Sequence, residues 1–299
     1  MLVNDTICLV LTPLVIAAIR RGELPMLPYL IALATSANIG SVATLVGNPQ
    51  NMIIGHFSRI RLHNFPWRLH RQLLSASRSI SSFCVLVFET LYEQRRLNGS
   101  LTLSRSWTVC CLRSSAVFVS IFACFVAGLN LAWTALAGAA LVMVLARRDT
   151  HEVLKLVDWH LLVFFAALFV VVDGLSDTGL PDAIYRHLQP VFGSHVTAQT
   201  WNLTWFSVAG SNIFSNVPFV LVAGKWITRF VEPVLMWKVL ALATTFAGNL
   251  TIVGSVANII VVESAREHLE VGFWDYARFG IPITVLTTVA GVMVLLILR

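Results

Sequence analysis

Thr44-Leu45-Val46-Gly47-Asn48-Pro49-Gln50-Asn51-Met52-Ile53 and Thr251-Ile252-Val253-Gly254-Ser255-Val256-Ala257-Asn258-Ile259-Ile260 are two copies of one pattern, T-[LI]-V-G-[NS]-x-x-N-[MI]-I, set 207 residues apart in a chain of 299. Each follows an Ala-Leu-Ala-Thr run (Ala32 to Thr35, Ala241 to Thr244), and each cuts a long apolar stretch, Pro28 to Ile54 and Leu235 to Val262. The matching extends outward. Asn4-Asp5 and Ser215-Asn216 each stand at the start of an apolar helix upstream, and Phe65-Pro66-Trp67 is echoed by Phe273-Trp274 downstream. In a bilayer an unpaired backbone N–H or C=O costs several kcal/mol, so irregular backbone persists only inside protein or beside a wet cavity. Small polar residues also help helices pack closely, which would account for one such interruption. Two matched interruptions, each with a matched upstream Asn, instead point to two discontinuous helices in corresponding halves, with a binding site where the halves meet.

The rest of the chain agrees with a membrane setting. Hydrophobic residues make up 57% and charged residues 12%, with mean hydropathy +0.78. A soluble domain is about one quarter charged, so a soluble enzyme, a disordered chain and a secreted disulfide module are excluded. The five cysteines (Cys8, Cys84, Cys110, Cys111, Cys124) form no C-x-x-C and read as small apolar residues. The net charge of +6 lies in short loops, which fits retention on the cytoplasmic side of a membrane better than nucleic-acid binding. Met1 leads straight into apolar sequence with no basic flank, so no cleavable signal is expected. A spanning helix takes ~20 residues, leaving room for roughly eight to ten passes.

The expected fold is an all-α polytopic membrane protein with inverted repeats, re-entrant hairpins and two discontinuous transmembrane helices. A first repeat covers 1–105, connecting helices and a linker 106–158, and a second repeat 159–299. Along the chain, Leu2 to Ile19 is a helix stopped by Arg20-Arg21-Gly22-Glu23, and Pro28 to Ile54 is interrupted at both Asn38 to Ser41 and Gly47 to Asn51. Phe83 to Tyr92 is a weak apolar run, and Ser114 to Ala146 divides at Gly128-Leu129-Asn130. A span from Trp159 ends at Asp173-Gly174, and 175–198 is a polar connection punctuated by Pro181 and Pro190. A break covers Ser211 to Asn216, another Gly248 to Asn258, and Phe279 to Leu298 is the last span. Counting passes sends the two interrupted helices across in opposite directions. Arg20, Arg21, Arg95, Arg96, Arg105, Arg113, Arg147, Arg148, Lys155, Arg266 and Arg278 then share one side, expected to be the cytoplasm.

On these residues the chain resembles the ion-transporter superfamily that includes the arsenite pump ArsB, the NhaD-type sodium/proton antiporters, citrate carriers and the melanosomal P protein. The resemblance is carried by Val3-Asn4-Asp5-Thr6 with Leu11-Thr12-Pro13, by Ser36 to Gly40 through Gly47-Asn48-Pro49-Gln50-Asn51, and by Asp158-Trp159 before Asp173-Gly174. Ser211 to Pro218 and Gly248-Asn249 through Gly254-Ser255 to Asn258 complete it. It implies paired hairpins and broken helices meeting at midplane, a rocking or elevator-like motion, and an anion, oxyanion or cation exchanged with H⁺ or Na⁺. Members carry several helices ahead of the Asn-Asp segment, so the resemblance implies a chain short at its N-terminus. By repeat symmetry Leu69 to Tyr92 corresponds to Ala277 to Leu298, yet it carries Arg71 and Arg78, each costing ~2.5–3.5 kcal/mol at a helix centre.

The candidate substrate- and ion-binding residues are Asn4, Asp5, Asn38, Ser41, Thr44, Gly47, Asn48, Asn51, Ser215, Asn216, Asn249, Thr251, Gly254, Ser255 and Asn258. Their amides and hydroxyls can replace a hydration shell, and Asp5 is a candidate carrier of a coupled proton, since acids at membrane depth are functional by default. Asp5 also suits a helix start. Glu263 reads as a surface partner of Arg266, Asp173 as an exposed turn residue, and Lys225 and Arg229 as snorkelling cations. The expected function is secondary active transport of a small ion, an inorganic or organic anion ahead of a cation, coupled to H⁺ or Na⁺, with no organic cofactor and no metal site. Expected partners are the ion, the lipid bilayer and a possible homodimer, with no nucleic acid, in a bacterial inner membrane. One alternative is a vestigial or truncated membrane protein. A membrane-integral enzyme fits less well. All eight His (His56, His63, His70, His151, His160, His187, His195, His268) fall in loops or at span ends, and no H-E-x-x-H or phosphate-cradling loop occurs.

Overall fold

The computed structural model describes residues 3–58 and 129–297, apart from 147, 148, 156 and 158, together with isolated positions between 117 and 127. The Phe65 to Trp67 motif, the weak run Phe83 to Tyr92, the Leu69 to Tyr92 counterpart of the last span and the boundary at 105 lie outside the described residues.

Among the described residues all regular structure is helical. α1 (Asn4–Arg21), α2 (Met26–Ser41) and α3 (Pro49–Ser58) come first; α4 (Leu131–Ala146), α5 (Thr150–Lys155), α6 (Trp159–Asp177) and α7 (Leu180–Phe192) follow. α8 (Val196–Phe214) and α9 (Asn216–Ala223) lead through a 3-10 turn, Gly224–Arg229, to α10 (Pro233–Ala247), a second 3-10 turn Ile252–Gly254, α11 (Val256–Ala265) and α12 (Phe273–Ile297).

Several boundaries differ from the sequence reading, each for a local reason. α2 runs unbroken through Asn38 to Ser41, so the first stretch has one interruption, 42–48, where the sequence suggested two. The Asn38 side chain finds its partners in other elements and leaves its own helix intact. α6 continues past Asp173-Gly174 to Asp177, and Asp173 is exposed on a helix instead of in a turn. The polar connection 175–198 contains α7, with Pro181 in its first turn, where the missing N–H costs nothing. Pro190 falls in its last turn. The break at 211–216 narrows to Ser215 alone. Asn130 Oδ1 accepts the Ala132 and Trp133 N–H groups and starts α4; Gly128 lies outside the described residues.

α12 alone among the described helices is long and apolar enough to cross a bilayer, and α6 with α7 passes only as a pair bent by 71°. Among the described residues the other apolar stretches form helices of 8–19 residues. Outward faces are apolar, with Trp133, Val144, Val163, Val170, Leu286 and Ile297 all exposed, a surface matched to lipid.

Two packed groups hold the interrupted helices. In one, α1, α2 and α11 meet through Cys8, Ile16, Leu30, Ala34, Ala37, Ala257, Val261 and Ala265. Small residues let these backbones approach closely, which is how helices associate where lipid removes the hydrophobic drive. In the other, Val42 and Leu45 of the first break and Ile54 of α3 pack with Phe219 and Val220 of α9, Leu240 and Phe246 of α10 and Val292 of α12. An aromatic cluster of Tyr185, Phe192, Phe206, Trp226 and Phe230 closes its far end. Arg229 reaches Asp182 and stands 5.0 Å from the Tyr185 ring centre, and Lys225 donates to Ser176.

Candidate functional site

α2 ends at Ser41 and α3 begins at Pro49. Pro49 supplies no N–H and carries a fixed φ, which suits the first position of a helix. Asn48 Oδ1 caps α3 by accepting the Asn51 N–H at 2.8 Å. Asn51 in turn reaches back across the break: its Nδ2 donates to the Ser41 and Thr44 carbonyls at 3.2 and 3.1 Å. Carbonyls that a terminating helix leaves unpaired are satisfied in this way. Gly47 lies so close to Ser41 that a Cβ would run into the Ser41 carbonyl oxygen.

The second break repeats this geometry 207 positions on, except that Ser255, in the place of Asn48, makes no side-chain cap. α10 ends at Ala247 and α11 begins at Val256. Asn258 Nδ2 donates to the Gly248 and Thr251 carbonyls at 2.6 and 2.9 Å, the counterparts of Ser41 and Thr44. A Cβ on Gly254 would stand 3.0 Å from the Gly248 carbonyl oxygen. The Gly47 carbonyl accepts the Asn4 N–H at 2.9 Å, and the Gly254 carbonyl accepts Asn216 Nδ2 at 3.0 Å.

Bonds between the breaks are reciprocal as well. Ser255 Oγ donates to Asn38 Oδ1 at 3.0 Å, and Asn48 Nδ2 donates to Thr245 Oγ1 at 3.1 Å. Asn38 Nδ2 donates to Asn258 Oδ1 at 3.0 Å, and Thr245 Oγ1 donates to Asn51 Oδ1 at 3.5 Å. Thr245 stands 207 residues after Asn38, so each cross-link has its counterpart. α2 thus meets α11, and α10 meets α3.

Asn38 is the hub. Its Oδ1 accepts from Asn4 Nδ2 at 2.9 Å and from Ser255 Oγ, and its Nδ2 donates to Asn249 Oδ1 at 2.9 Å and to Asn258 Oδ1. All of its side-chain capacity is used, and the residue is 1% exposed. Asp5, in the first turn of α1, accepts the Ala257 backbone N–H in the first turn of α11. Its carboxylate therefore faces a helix N-terminus, where negative charge is favoured.

Of the sequence candidates, Asn4, Asn38, Asn249, Ser255 and Asn258 form one buried network, and Ser41, Thr44, Gly47, Asn48 and Asn51 a second, joined to it where Ser41 Oγ donates to the Asn38 carbonyl and extended by Asn48 to Thr245. Asn216 and Thr251 belong to a third group around Gly254. Ser211 Oγ donates to Asn216 Oδ1 at 2.6 Å, and Thr251 Oγ1 donates to Asn212 Oδ1 at 3.2 Å. Ser215 is exposed; its contribution is backbone, with φ 69° between α8 and α9, a conformation an L-residue adopts at a cost of about 1–3 kcal/mol. Three participants escape the sequence reading. Thr245 was signalled by its place opposite Asn38 in the repeat, and Asn212 by its place among the break residues. Tyr276 of α12, fully buried beside Asn258, carried no signal, because its surroundings in sequence are those of an ordinary span.

Among the described residues no Lys, Arg or His is buried, and no three His, Cys, Asp or Glu gather as a metal would require. Amides, hydroxyls and backbone carbonyls make up the site, with Asp5 as its acid. Such a set can trade hydrogen bonds with a partly dehydrated solute; it offers no nucleophile–base pair.

Comparison with known proteins gives this arrangement a context. The silicon efflux transporter LSI3 of Oryza sativa subsp. japonica is 32% identical over 361 aligned residues, covering 97% of this chain and 74% of that protein. A 46 kDa membrane protein of Mycobacterium leprae is 26% identical over 97% of this chain and 72% of its own length. The uncharacterized transporter slr0753 of Synechocystis sp. is 24% identical, with coverage of 97% and 72%. These kinships make the chain an integral membrane protein of the transport class and remove the membrane-enzyme alternative. The profile of one family, described as citrate transporter, matches residues 1–247, and the chain belongs to that family.

Proposed function

We propose that this protein is a secondary transporter that carries a small ion-forming solute, an inorganic oxyacid or a carboxylate, across its cell's bounding membrane with H⁺ or Na⁺ as the coupled species. In this reading 42–48 and 248–255 are the centres of two discontinuous transmembrane helices, related as inverted repeats, with α8 and α9 as a re-entrant hairpin. The solute binds between them, on Asn4, Asp5, Asn38, Ser41, Thr44, Gly47, Asn48, Asn51, Ser215, Asn216, Asn249, Thr251, Gly254, Ser255 and Asn258. The observation that carries the reading is the reciprocal hydrogen-bond set, in which eight of the bonds within and between the breaks form four pairs related by a shift of 207 residues. Two similar halves crossing at irregular backbone can exchange positions with little change in total bonding, which is the requirement for alternating access. In support, one relative is named a silicon efflux transporter and the matching family is described as citrate transporter.

The test is uptake into proteoliposomes from a panel of oxyacids, carboxylates and alkali cations, with pH and Na⁺ gradients imposed separately. Asn51→Ala and Asn258→Ala, purified as monodisperse protein, are expected to lose most uptake while wild type retains it. Normal transport by both variants removes the site assignment, and no gradient-driven flux of any panel member by wild type removes the transport reading.

A further inference from the structure

The helices that flank the two breaks are almost free of charge. α2 and α3 carry no Asp, Glu, Lys or Arg, α11 carries Glu263, and α10 carries Lys238. Glu263 lies exposed against Arg266. Lys238 is half-buried and, among the described residues, has neither a hydrogen-bond nor an ion-pair partner. Its place in the first repeat, 207 residues earlier, is taken by Ile31, which is buried. An ammonium kept without a counter-charge among apolar helices is costly, and ionisable residues in such places mark solute and ion paths.

The position of Lys238 on its helix leads to the site. Thr245 stands seven residues on, two turns or ~10 Å along the axis, and therefore on the same side of α10. There it accepts from Asn48 Nδ2 and donates to Asn51 Oδ1, at the start of α3. Burial rises along this one side: Val234 is 60% exposed, Lys238 half-buried, and Ala241 and Thr245 are 1% exposed. Ala241, between Lys238 and Thr245, projects only a methyl group. α3 packs against α10, and neither helix carries an acid to hold the ammonium in place. A lysine near a helix end can also reach the headgroups with its stem laid on apolar surface. That end of α10 already has two exposed cations in the turn before it, Lys225 and Arg229, and a role at the headgroups asks for no place on the side that carries Thr245.

We infer that Lys238 is a specificity-determining residue of the approach to the site: its ammonium stands at the outer end of a passage along α10 to Thr245, draws anions into that passage and turns cations away. This rests on the transport reading above and adds to it a route and a charge filter outside the amide network.

Uptake into proteoliposomes is to be measured at neutral pH with citrate, which is ionised there, and orthosilicic acid, which is not, for wild type, Lys238→Gln and Lys238→Arg. Melting followed by tryptophan fluorescence checks folding. The expected result is a kcat/KM for citrate at least tenfold lower in Lys238→Gln at ~0.01 M salt, the effect of removing a unit charge ~10 Å from the solute in a partly desolvated passage. The deficit closes toward ~1 M salt, where charges are screened within ~3 Å, and Lys238→Arg keeps the wild-type value. Citrate uptake unchanged in folded Lys238→Gln places the ammonium at the lipid surface and overturns the inference. A deficit that persists at high salt, or that falls equally on orthosilicic acid, assigns Lys238 to packing and overturns it too. So does uptake of orthosilicic acid by a wild type that carries no citrate. In these cases the transport reading stands; flux of neither solute, nor of any in the wider panel, by folded wild type overturns that reading instead.

Discussion

Replacing Asn38 by alanine removes four hydrogen bonds at once, those to Asn4, Asn249, Ser255 and Asn258. The first three of these partners sit on α1, in the second break and at the start of α11, so the loss is felt between separate elements. Interhelical hydrogen bonds in membrane proteins average ~0.6 kcal/mol each, and buried ones in general about 1 kcal/mol. Four therefore sum to about 2–4 kcal/mol, with Asn4 left holding neither side-chain atom bonded. Against a total stability of ~5–15 kcal/mol that is a large fraction. It should lower the melting midpoint by about 4–10 °C for a chain of this length. The assay is tryptophan-fluorescence melting in detergent, with Thr35→Ala as the matched control. Thr35 is one turn earlier on the same helix, equally buried, and bonds only the Ile31 and Ala32 carbonyls of its own helix. Its loss should shift the midpoint by no more than about 2 °C. If Asn38→Ala melts within that margin of Thr35→Ala, the network carries no energy between the halves, and the reasoning built on it fails.

Gly47→Ala should reduce the yield of monodisperse protein in size-exclusion chromatography more than Gly254→Ala does. The first Cβ collides with a backbone carbonyl, and the second stands at 3.0 Å from its neighbours; overpacking costs ~1–3 kcal/mol. Asp5→Asn keeps an oxygen for the Ala257 N–H but binds no exchangeable proton, so uptake should lose its dependence on an imposed pH gradient while expression persists. A retained, undiminished pH response assigns the coupled proton elsewhere. Glu263→Gln should move the melting midpoint by about 1 °C or less, because the Glu263–Arg266 pair at 3.2 Å is solvent-exposed on both sides and such pairs contribute ~0–1 kcal/mol.

The repeat, the two interruptions and most of the amides that surround them were legible in the sequence, because their chemistry is local. A Gly that must admit a carbonyl, an Asn that caps a half-helix and an Asn three residues on that ties down loose carbonyls have to stand at fixed spacing, and that spacing recurs 207 residues later. The pairing of Glu263 with Arg266 was equally local. Helix limits were less legible. Asn38, Gly40 and Ser41 resemble a break but continue α2, since the Asn38 side chain is satisfied by residues more than 200 positions away. The polar stretch after Asp177 conceals α7, whose apolar edge is defined only by the aromatic cluster it meets.

Periodicity and residue type determined that this chain is helical and membrane-borne and that one pattern recurs in it 207 residues apart, for the lipid penalty on unpaired backbone acts on each segment separately. Tertiary structure alone decided which amide meets which: that Asn38 joins Asn4 to Asn249 and Asn258, that Asp5 faces α11, and that Tyr276 of the last helix lies at the same place. Those choices depend on how the two halves cross, and a crossing is fixed by side-chain fit between distant segments, which leaves no period in the chain to be read.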